Sequence, residues 1–371
     1  MQLQINFELL NLQINIYLLS AVTAIHISIM SNPKKRAIIL MNLGSPDTTS
    51  VKDVRSYLNE FLMDERVIDS PYLVRSILVK GIITPFRAPK SAEAYASIWT
   101  KDGSPLVFIT KQLQQELRKK IQEPVEIAMR YGKPAMKAAY DALIAKYPDL
   151  EEVILLPLYP HYAMSSYETA VEHARKVHMQ QKYPFTISFV TAFYNHPAYI
   201  KALAESIKPY IKDDGSHLLF SYHSIPERHI QKSDITGHHC LQATDCCTTP
   251  SPAHKYCYRH QCYTTTQMVT EYLGLPKDRY SVSFQSKLGR SEWLKPSTTL
   301  RMDQMPNEGI KNLMVVCPSF VSDCLETLEE IAIREKENFI KAGGETYTFI
   351  PCMNTQPQWI NAVIELLDEK K

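Results

Sequence analysis

The chain has 371 residues, of which 45% are hydrophobic and 22% charged, so it is long enough to bury a large core as two domains or one large α/β unit. Lys and Arg total 41 and Asp and Glu total 39, a net charge of +2. This balance excludes the strong positive field that a nucleic-acid partner requires, and the modest Gly and Pro content excludes a low-complexity or disordered chain.

The first thirty residues do not have the pattern of an export signal. They contain Glu8 as their single acidic residue and neither Lys nor Arg, so a basic n-region is missing. The apolar run Ile16–Ile25 is too short to span a bilayer of about 30 Å. We expect residues 1–30 to be a non-native or unstructured leader, with the natural protein starting at Met30; a weak membrane anchor is the alternative.

From Arg36 onward, short β-branched runs alternate with longer helical patterns, which predicts parallel strands joined by helical crossovers. The predicted strands are Ala37–Asn42, Val125–Tyr131, Val153–Leu156, Phe185–Thr191, Leu218–Tyr222, Tyr280–Phe284, Leu313–Cys317 and Tyr347–Ile350. The predicted helices are Leu106–Ile121, Met136–Lys146, Tyr167–Gln181, Pro197–Ile211, Thr264–Leu273 and Leu325–Ala342. The fold class is therefore α/β, with two similar doubly wound, Rossmann-like lobes, parallel sheets and a cleft between the lobes.

Three regions after the leader follow from this pattern. Residues 31–160 form an N-terminal lobe, and residues 161–345 form a C-terminal lobe with a cysteine-rich segment at about 232–262. Residues 346–371 form a strand and a helix that we expect to pack back on the N-terminal lobe. Within the first lobe, residues 70–95 combine apolar and basic side chains, and we call them the lip. The lip suits a flat apolar ligand with carboxylates or a membrane surface, or it is an amphipathic helix against the core.

In a doubly wound sheet, ligands bind beyond the carboxyl ends of the strands. Gly44 follows the first strand, but no phosphate-binding glycine fingerprint surrounds it, so nucleotide binding has no support. His223 directly follows the strand Leu218–Tyr222, where it could exchange a proton near neutral pH or ligate a metal. The alternative is a core histidine that closes the strand end.

A second strand end leads into an acidic helix. Asp323, Glu326 and Glu330 are spaced to share one helical face, and such a line of carboxylates suits a divalent cation. Equally, acidic residues are common near a helix N-terminus because they complement the helix dipole.

Five of the eight cysteines lie between Cys240 and Cys262, which indicates metal or redox chemistry in a reducing compartment rather than a disulfide framework. Cys240, Cys246, Cys247 and Cys257 place four thiols within 18 residues, enough to surround a metal. A thiol-rich loop without metal is the alternative.

Taken together, these strand ends resemble the ferrochelatase family, which inserts ferrous iron into a porphyrin. The matching segments, in family order from Arg36 to the C-terminus, are Leu40–Pro46, Met129–Gly132, Leu156–Tyr162, Ser221–Pro226, Phe284–Lys287 with Trp293–Leu294, and Cys317–Glu330.

The resemblance implies that His223 and Glu326 are catalytic and face each other across the porphyrin. His223, Glu326 and Glu330, with Asp323, would handle the metal, which is Fe²⁺ as substrate. The residues expected to contact the porphyrin are Leu43, Arg130, Tyr131, Trp293 and Phe320. Leu43, where coproporphyrin-using members carry Tyr, favours protoporphyrin IX.

The resemblance leaves alternatives at the level of function and cofactor. A coproporphyrin III ferrochelatase, a chelatase for Co²⁺ or Ni²⁺, and a non-catalytic haem or metal carrier could share this scaffold. The four clustered cysteines resemble a [2Fe–2S] site found in some bacterial members, with Zn²⁺ as the second candidate. Porphyrin and ferrous iron are the expected partners, and the expected location is the cytoplasm, with peripheral contact at the inner face of the membrane. The sequence does not indicate an oligomeric state.

Overall fold

The computed structural model describes residues 35–212, 214–287 and 291–370. The expected leader at residues 1–30 lies outside these ranges.

The N-terminal lobe is built on a four-stranded parallel sheet. Its strands β1 (Arg36–Ser45), β2 (Val125–Gly132), β3 (Glu152–Pro157) and β4 (Thr186–Phe189) lie in the order β2-β1-β3-β4. The helices of this half are α1 (Val51–Leu62), α2 (Tyr72–Ser76), α3 (Thr84–Ile98), α4 (Pro105–Arg118), α5 (Met136–Lys146) and α6 (Thr169–Gln181), with π-helical segments at Ile77–Ile83 and Met164–Glu168.

Helix α7 (Pro197–Ile207) leads to the C-terminal lobe, which repeats the arrangement. Strands β5 (His217–His223), β6 (Tyr280–Gln285), β7 (Asn312–Val316) and β8 (Thr346–Phe349) lie in the order β6-β5-β7-β8, again all parallel. The helices are α8 (Glu227–Ser233), α9 (Tyr258–Leu273), α10 (Thr298–Gln304), α11 (Lys336–Lys341) and α12 (Pro357–Asp368), with a π-helix at Glu326–Glu335. Short 3₁₀ turns lie at Lys208–Tyr210, Pro252–Lys255, Lys277–Arg279 and Met305–Glu308.

The predicted α/β class with two similar lobes is confirmed, because all eight predicted strands are present and both sheets have the same strand order. The sequence prediction omitted α1, α8 and α10, and it gave the lip, which contains α2 and most of α3, an amphipathic helix only as an alternative. It placed the start of α9 six residues late, at Thr264 instead of Tyr258. It also missed the π-helices, because their i→i+5 hydrogen bonds depend on neighbouring contacts and leave no simple periodicity.

The two lobes share a continuous apolar core. It contains strand residues of both sheets, such as Leu40 and Phe220, together with Trp359 of α12. The hydroxyl of Tyr199 on α7 donates to the carbonyl of Pro318 in the C-terminal lobe at 2.9 Å. Helix α12 packs on α7, and its Asn361 accepts a hydrogen bond from Lys120, which follows α4.

Within the described residues, no helix has the combination of length and apolar character that crossing a bilayer requires.

Gly44 is confined by the neighbouring strand. Its φ is +107°, a conformation that residues with a side chain rarely adopt, and a Cβ there would lie 1.8 Å from the carbonyl oxygen of Tyr131. The glycine therefore permits close pairing of β1 and β2 beside the carboxyl end of the sheet.

We predict that Gly44→Ala lowers the free energy of unfolding by at least about 2 kcal/mol, since it combines backbone strain with a backbone clash. Gly81→Ala is the matched control, because no described atom lies within 4 Å of its added Cβ. Urea unfolding of both variants measures the difference. Equal stability of the two variants would contradict the steric argument.

Candidate active site

His223 is the last residue of β5, and its backbone is held on both sides. Its N–H donates to Ser319 Oγ at 3.2 Å, and its carbonyl accepts from the Tyr258 hydroxyl at 2.8 Å. The imidazole lies edge-on to Phe320, with ring centroids 6.0 Å apart. Its Nδ1 is buried and has no hydrogen-bond partner among the described residues. An unpartnered buried polar atom is unusual in a folded protein and is typical of a site that receives a ligand.

The surroundings of His223 favour a neutral imidazole. Burial lowers the pKa of His223 below its ordinary value; the nearby carboxylate of Glu326 raises it and the guanidinium of Arg87 lowers it, with a net downward shift. A neutral imidazole has a free lone pair, which can accept a proton or ligate a metal.

Glu326 is held near His223 by a glutamine at the end of the neighbouring strand. Gln285 pairs with His223 in the β5–β6 register, and its Nε2 donates to the carbonyl of Glu326 at 3.1 Å. The Gln285 Oε1 accepts from Ser221 on β5 at 2.7 Å. Because Gln285 is buried, this amide fixes the start of the π-helix relative to the strand that carries His223.

Glu330 lies further along the same π-helix. Its carboxylate accepts hydrogen bonds from the backbone N–H of Ser286 at 3.0 Å and from the Ser286 hydroxyl, and Arg334 approaches it at 3.5 Å. Burial raises the pKa of Glu330 to about 7, against the lowering effects of Ser286 and Arg334; Glu326 adds to the rise. This carboxyl group can therefore take up or release a proton near neutral pH.

Asp323 does not share the expected helical face with the two glutamates. The π-helix begins only at Glu326, and Asp323 lies in the turn before it. One carboxylate oxygen accepts from the Thr327 hydroxyl at 3.0 Å and from the Cys352 N–H at 3.2 Å, and the other accepts from Asn354 at 2.7 Å. These contacts give Asp323 a role in holding the turn that precedes the π-helix.

Arg130 and Tyr131 lie together but point into a polar network centred on Asp64. The Asp64 carboxylate accepts from Arg130, from the Tyr131 hydroxyl at 2.9 Å and from Thr169. Burial tends to raise the pKa of Asp64, but the hydrogen bond from Thr169, the Arg66 backbone N–H and the charge of Arg130 together lower it. The Arg130 guanidinium stacks on the Tyr131 ring, 4.3 Å from its centroid. The sequence offered no signal for Asp64, which is far from both residues along the chain.

Two other expected porphyrin contacts lie at different edges of the site. Leu43, on β1, is half-buried and packs against two core clusters, one with the strand residues Ile39 and Met41 and one with Tyr57 and Tyr95. Trp293 forms a bridge with Pro226, three residues after His223, and its indole Nε1 is buried without a partner in the described part of the chain.

Tyr57 and Tyr95 were missed by the sequence prediction. Both are buried on α1 and α3, with their rings 6.4 Å apart and edge-on. Burial raises the pKa of each phenol, and the charge of Glu326 acts in the same direction, so both lie near the start of the π-helix. Their helices carry no motif, and their approach to Glu326 depends on how the lobes pack.

The cysteine-rich segment brings its four predicted thiols together. Hydrogen bonding from Cys247 is the largest of the effects that lower the pKa of the Cys257 thiol to about 6, and Cys240 adds to it, so these sulfurs lie near one another. Burial raises the pKa of the Cys240 thiol, and the nearby Cys257 and Cys246 act in the same direction. Arg259 donates to the sulfurs of Cys246 and Cys247, each at 3.6 Å. Backbone N–H groups also point at sulfur, from Leu241 to Cys246 at 3.4 Å and from His260 to Cys257 at 3.5 Å.

Cys262 is fully buried, in the same core cluster that contains Cys240 and Cys257. All eight cysteines of the sequence lie in the described residues, and none of them is disulfide-bonded. In the same ranges, no three His, Cys, Asp or Glu side chains are already arranged so that they could hold a metal ion.

Comparisons with known proteins identify the family of this chain. The ferrochelatase family model matches residues 35–371. The chain is 48% identical to a ferrochelatase of Opitutus terrae, over 88% of this chain and 95% of that protein. It is 46% identical to a ferrochelatase of Pseudomonas fluorescens strain SBW25, over 90% of this chain and 97% of that protein.

The two-lobed architecture is also found in a solved structure, described as SirB from Bacillus subtilis with Fe³⁺, at a TM-score of 0.51. The alignment covers 90% of this chain and 95% of that chain at 12% identity, so the likeness concerns the fold alone. The family match and the sequence relatives show more: the chain belongs to the ferrochelatase family. Its activity is the insertion of ferrous iron into a porphyrin, a lyase reaction in haem biosynthesis.

We predict a pH-dependent stability effect for Glu330→Gln. The folded-state pKa of about 7 lies above the ordinary value of 4.5, so between these pH values the folded protein keeps a proton that the unfolded chain has released. Tighter binding of this proton stabilises the folded state. This contribution to the free energy of unfolding is fully present below about pH 4.5 and is lost as pH rises through 7. Glutamine cannot ionise, and the variant should therefore be more stable than the wild type at pH 8 by about 2 kcal/mol.

Urea unfolding at pH 5 and pH 8 measures this difference. Glu337→Gln, an exposed substitution on α11, is the control and should show no such pH dependence. A stability gain for Glu330→Gln that is the same at both pH values would mean that Glu330 titrates near its ordinary value.

Proposed function

We propose that His223, Glu326 and Glu330 carry out iron insertion and that the substrate is protoporphyrin IX. The observation that carries the proposal is the buried, unpartnered Nδ1 of His223 beside the Glu326 carboxylate, at the carboxyl ends of parallel strands. Two pyrrole protons must leave the porphyrin before Fe²⁺ can be bound by its four nitrogens. A neutral imidazole and a carboxyl group with a pKa of about 7 are suitable acceptors for these protons.

In this proposal His223 takes a pyrrole proton on one side of the reaction centre. Glu326 and Glu330 form the path on the metal side, where carboxylate oxygens replace the water ligands of the incoming ion. Asp323 supports that path by holding the turn before the π-helix. A pocket that grips the rim of the ring can also hold it bent, which exposes the nitrogen lone pairs to the metal.

The choice of protoporphyrin IX rests on Leu43. Its side chain offers no hydrogen-bond donor, so it provides an apolar wall suited to a vinyl group rather than to the additional propionates of coproporphyrin III. Arg130, Tyr131, Trp293 and Phe320 are proposed to complete the binding site.

We predict that His223→Ala lowers kcat for metal insertion by at least about 100-fold, while porphyrin binding is retained. The assay is anaerobic and mixes protein with Fe²⁺ or Zn²⁺ and either protoporphyrin IX or coproporphyrin III, with porphyrin fluorescence as the readout. Turnover by His223→Ala would remove His223 from the mechanism. A wild type that binds porphyrin without turnover would favour a carrier, and faster turnover of coproporphyrin III would overturn the substrate assignment.

We also propose that Cys240, Cys246, Cys247 and Cys257 hold a [2Fe–2S] cluster. Four thiolates are the ligand set of such a cluster, and four thiols converge here. The N–H groups of Leu241 and His260 and the guanidinium of Arg259 point at these sulfurs, and such donors stabilise the negative charge of thiolates. When bound, the group would supply a redox-active centre, whereas proton removal and metal insertion need no electron transfer.

We predict that Cys246→Ser removes the visible absorbance and about two iron atoms per chain from protein purified without oxygen. Cys262→Ala is the control and should leave both unchanged, since Cys262 is outside the proposed ligand set. Stoichiometric zinc in place of iron would assign the site to Zn²⁺, and an unchanged spectrum of Cys246→Ser would contradict the proposed ligand set.

Finally, we propose a cytoplasmic enzyme whose lip contacts the membrane surface. Six large apolar side chains of the lip are each more than half exposed: Tyr72, Leu73, Val74, Ile77, Ile82 and Phe86. Lys80, Arg87 and Lys90 are exposed beside them and would face anionic lipid headgroups. Arg75 is not part of this basic edge, because it is buried and donates to the carbonyls of Ile68 and Ser70.

A further inference from the structure

The backbone of His223 belongs to a closed circuit of three hydrogen bonds. The Tyr258 hydroxyl is 2.8 Å from the His223 carbonyl and 2.7 Å from Ser319 Oγ, which in turn accepts from the His223 N–H. Tyr258 has one proton and the carbonyl can only accept, so that proton goes to His223. The Ser319 hydroxyl must then donate to Tyr258, which leaves a Ser319 lone pair for the His223 N–H.

This circuit replaces a missing part of the sheet. Strand β5 pairs with β7 only as far as Phe220 and Val316, so His223 extends beyond the ladder on that side. On the other side, β6 still supports this end of the strand, since the Ser224 N–H donates to the Gln285 carbonyl at 2.8 Å. Tyr258 and Ser319 therefore satisfy the backbone groups of His223 that β7 cannot reach.

The orientation of the His223 imidazole depends on how its backbone is held. An imidazole in a site is commonly oriented by a hydrogen bond from its second ring nitrogen. In the described structure, Nδ1 of His223 has no such partner, and Phe320 packs edge-on against the ring. The position of the imidazole is thus set by its backbone and by packing.

Tyr258 is well placed to act as this support. Its side chain is buried, and the ring of His161 packs edge-on against it with centroids 5.8 Å apart. His161 is held in turn by a hydrogen bond of 3.0 Å to Thr265. Burial raises the pKa of the Tyr258 phenol well above its ordinary value, so the hydroxyl remains a donor at all working pH values.

We propose that Tyr258 is a positioning residue for metal insertion, which fixes the His223 imidazole through the His223 carbonyl and Ser319. The proposal rests on the role proposed above for His223. It assigns Tyr258 no contact with the porphyrin or the metal.

The test is Tyr258→Phe, which keeps the ring and its packing but removes the hydroxyl. We expect kcat for Zn²⁺ insertion into protoporphyrin IX to fall by about 10- to 100-fold, because a small displacement of a reacting group is costly. The KM for porphyrin should change by less than about twofold, since substrate contacts are untouched. Tyr272→Phe on the same helix is the control: its exposed hydroxyl donates to Glu205 at 2.8 Å, and its kcat should equal that of the wild type.

Ser319→Ala removes the other hydroxyl of the same circuit. It replaces Tyr258→Phe as the test variant if thermal unfolding shows that Tyr258→Phe does not fold. We expect the double variant to be about as slow as the slower single variant, because either change already breaks the circuit. If the fold-losses in kcat of the two single variants multiply fully in the double variant, Tyr258 and Ser319 do not act through one circuit, and the proposal is overturned. Wild-type kcat in Tyr258→Phe beside an inactive His223→Ala would overturn the positioning role, whereas turnover by His223→Ala would overturn the proposed function itself.

Discussion

The site depends on the buried amide of Gln285. The side-chain oxygen of Gln285 accepts a hydrogen bond from the Ser221 hydroxyl on β5, and its side-chain nitrogen donates to the carbonyl of Glu326. Parallel strands bring their carboxyl ends to one edge of a sheet, but they do not determine where the following helix begins. Through Gln285, the first turn of the π-helix is tied directly to the strand that ends at His223. The backbone at the start of the π-helix is therefore held next to the end of the strand that carries the His223 imidazole.

In the same region, some carboxylates are held by several hydrogen bonds, whereas other ionisable groups have few partners and shifted pKa values. Asp323 accepts three hydrogen bonds and Asp64 accepts four, and these carboxylates hold turns and neighbouring segments in place. Glu330 and His223 are instead half-buried and have fewer compensating partners, and desolvation shifts their pKa values in opposite directions, up for the acid and down for the base. Both shifts favour the neutral form, which is a protonated carboxyl group for Glu330 and an unprotonated imidazole for His223.

The thiol group and the active site meet at one point of the chain. Cys257 caps the N-terminus of α9, and the next residue, Tyr258, donates to the carbonyl of His223. The cysteine-rich segment is thus structurally continuous with the proposed active site, although Glu326 is far from it in sequence. Asp234 orders the start of this segment by accepting the N–H groups of His239 and Cys240, each at 2.8 Å.

The α/β class, the eight strands and the position of His223 and Phe320 after strands could be predicted from the amino-acid sequence, because hydrophobic periodicity and strand-end position are local properties. The grouping of Cys240, Cys246, Cys247 and Cys257 was also a local prediction, since they lie within 18 residues of one another. Three features became visible only in the folded chain: Arg130 and Tyr131 bind Asp64, Tyr57 and Tyr95 approach Glu326, and the acidic helix is a π-helix that starts after Asp323. These features arise from contacts between segments far apart in the chain, and the direction and protonation of each buried polar side chain depend on the partners that such contacts supply.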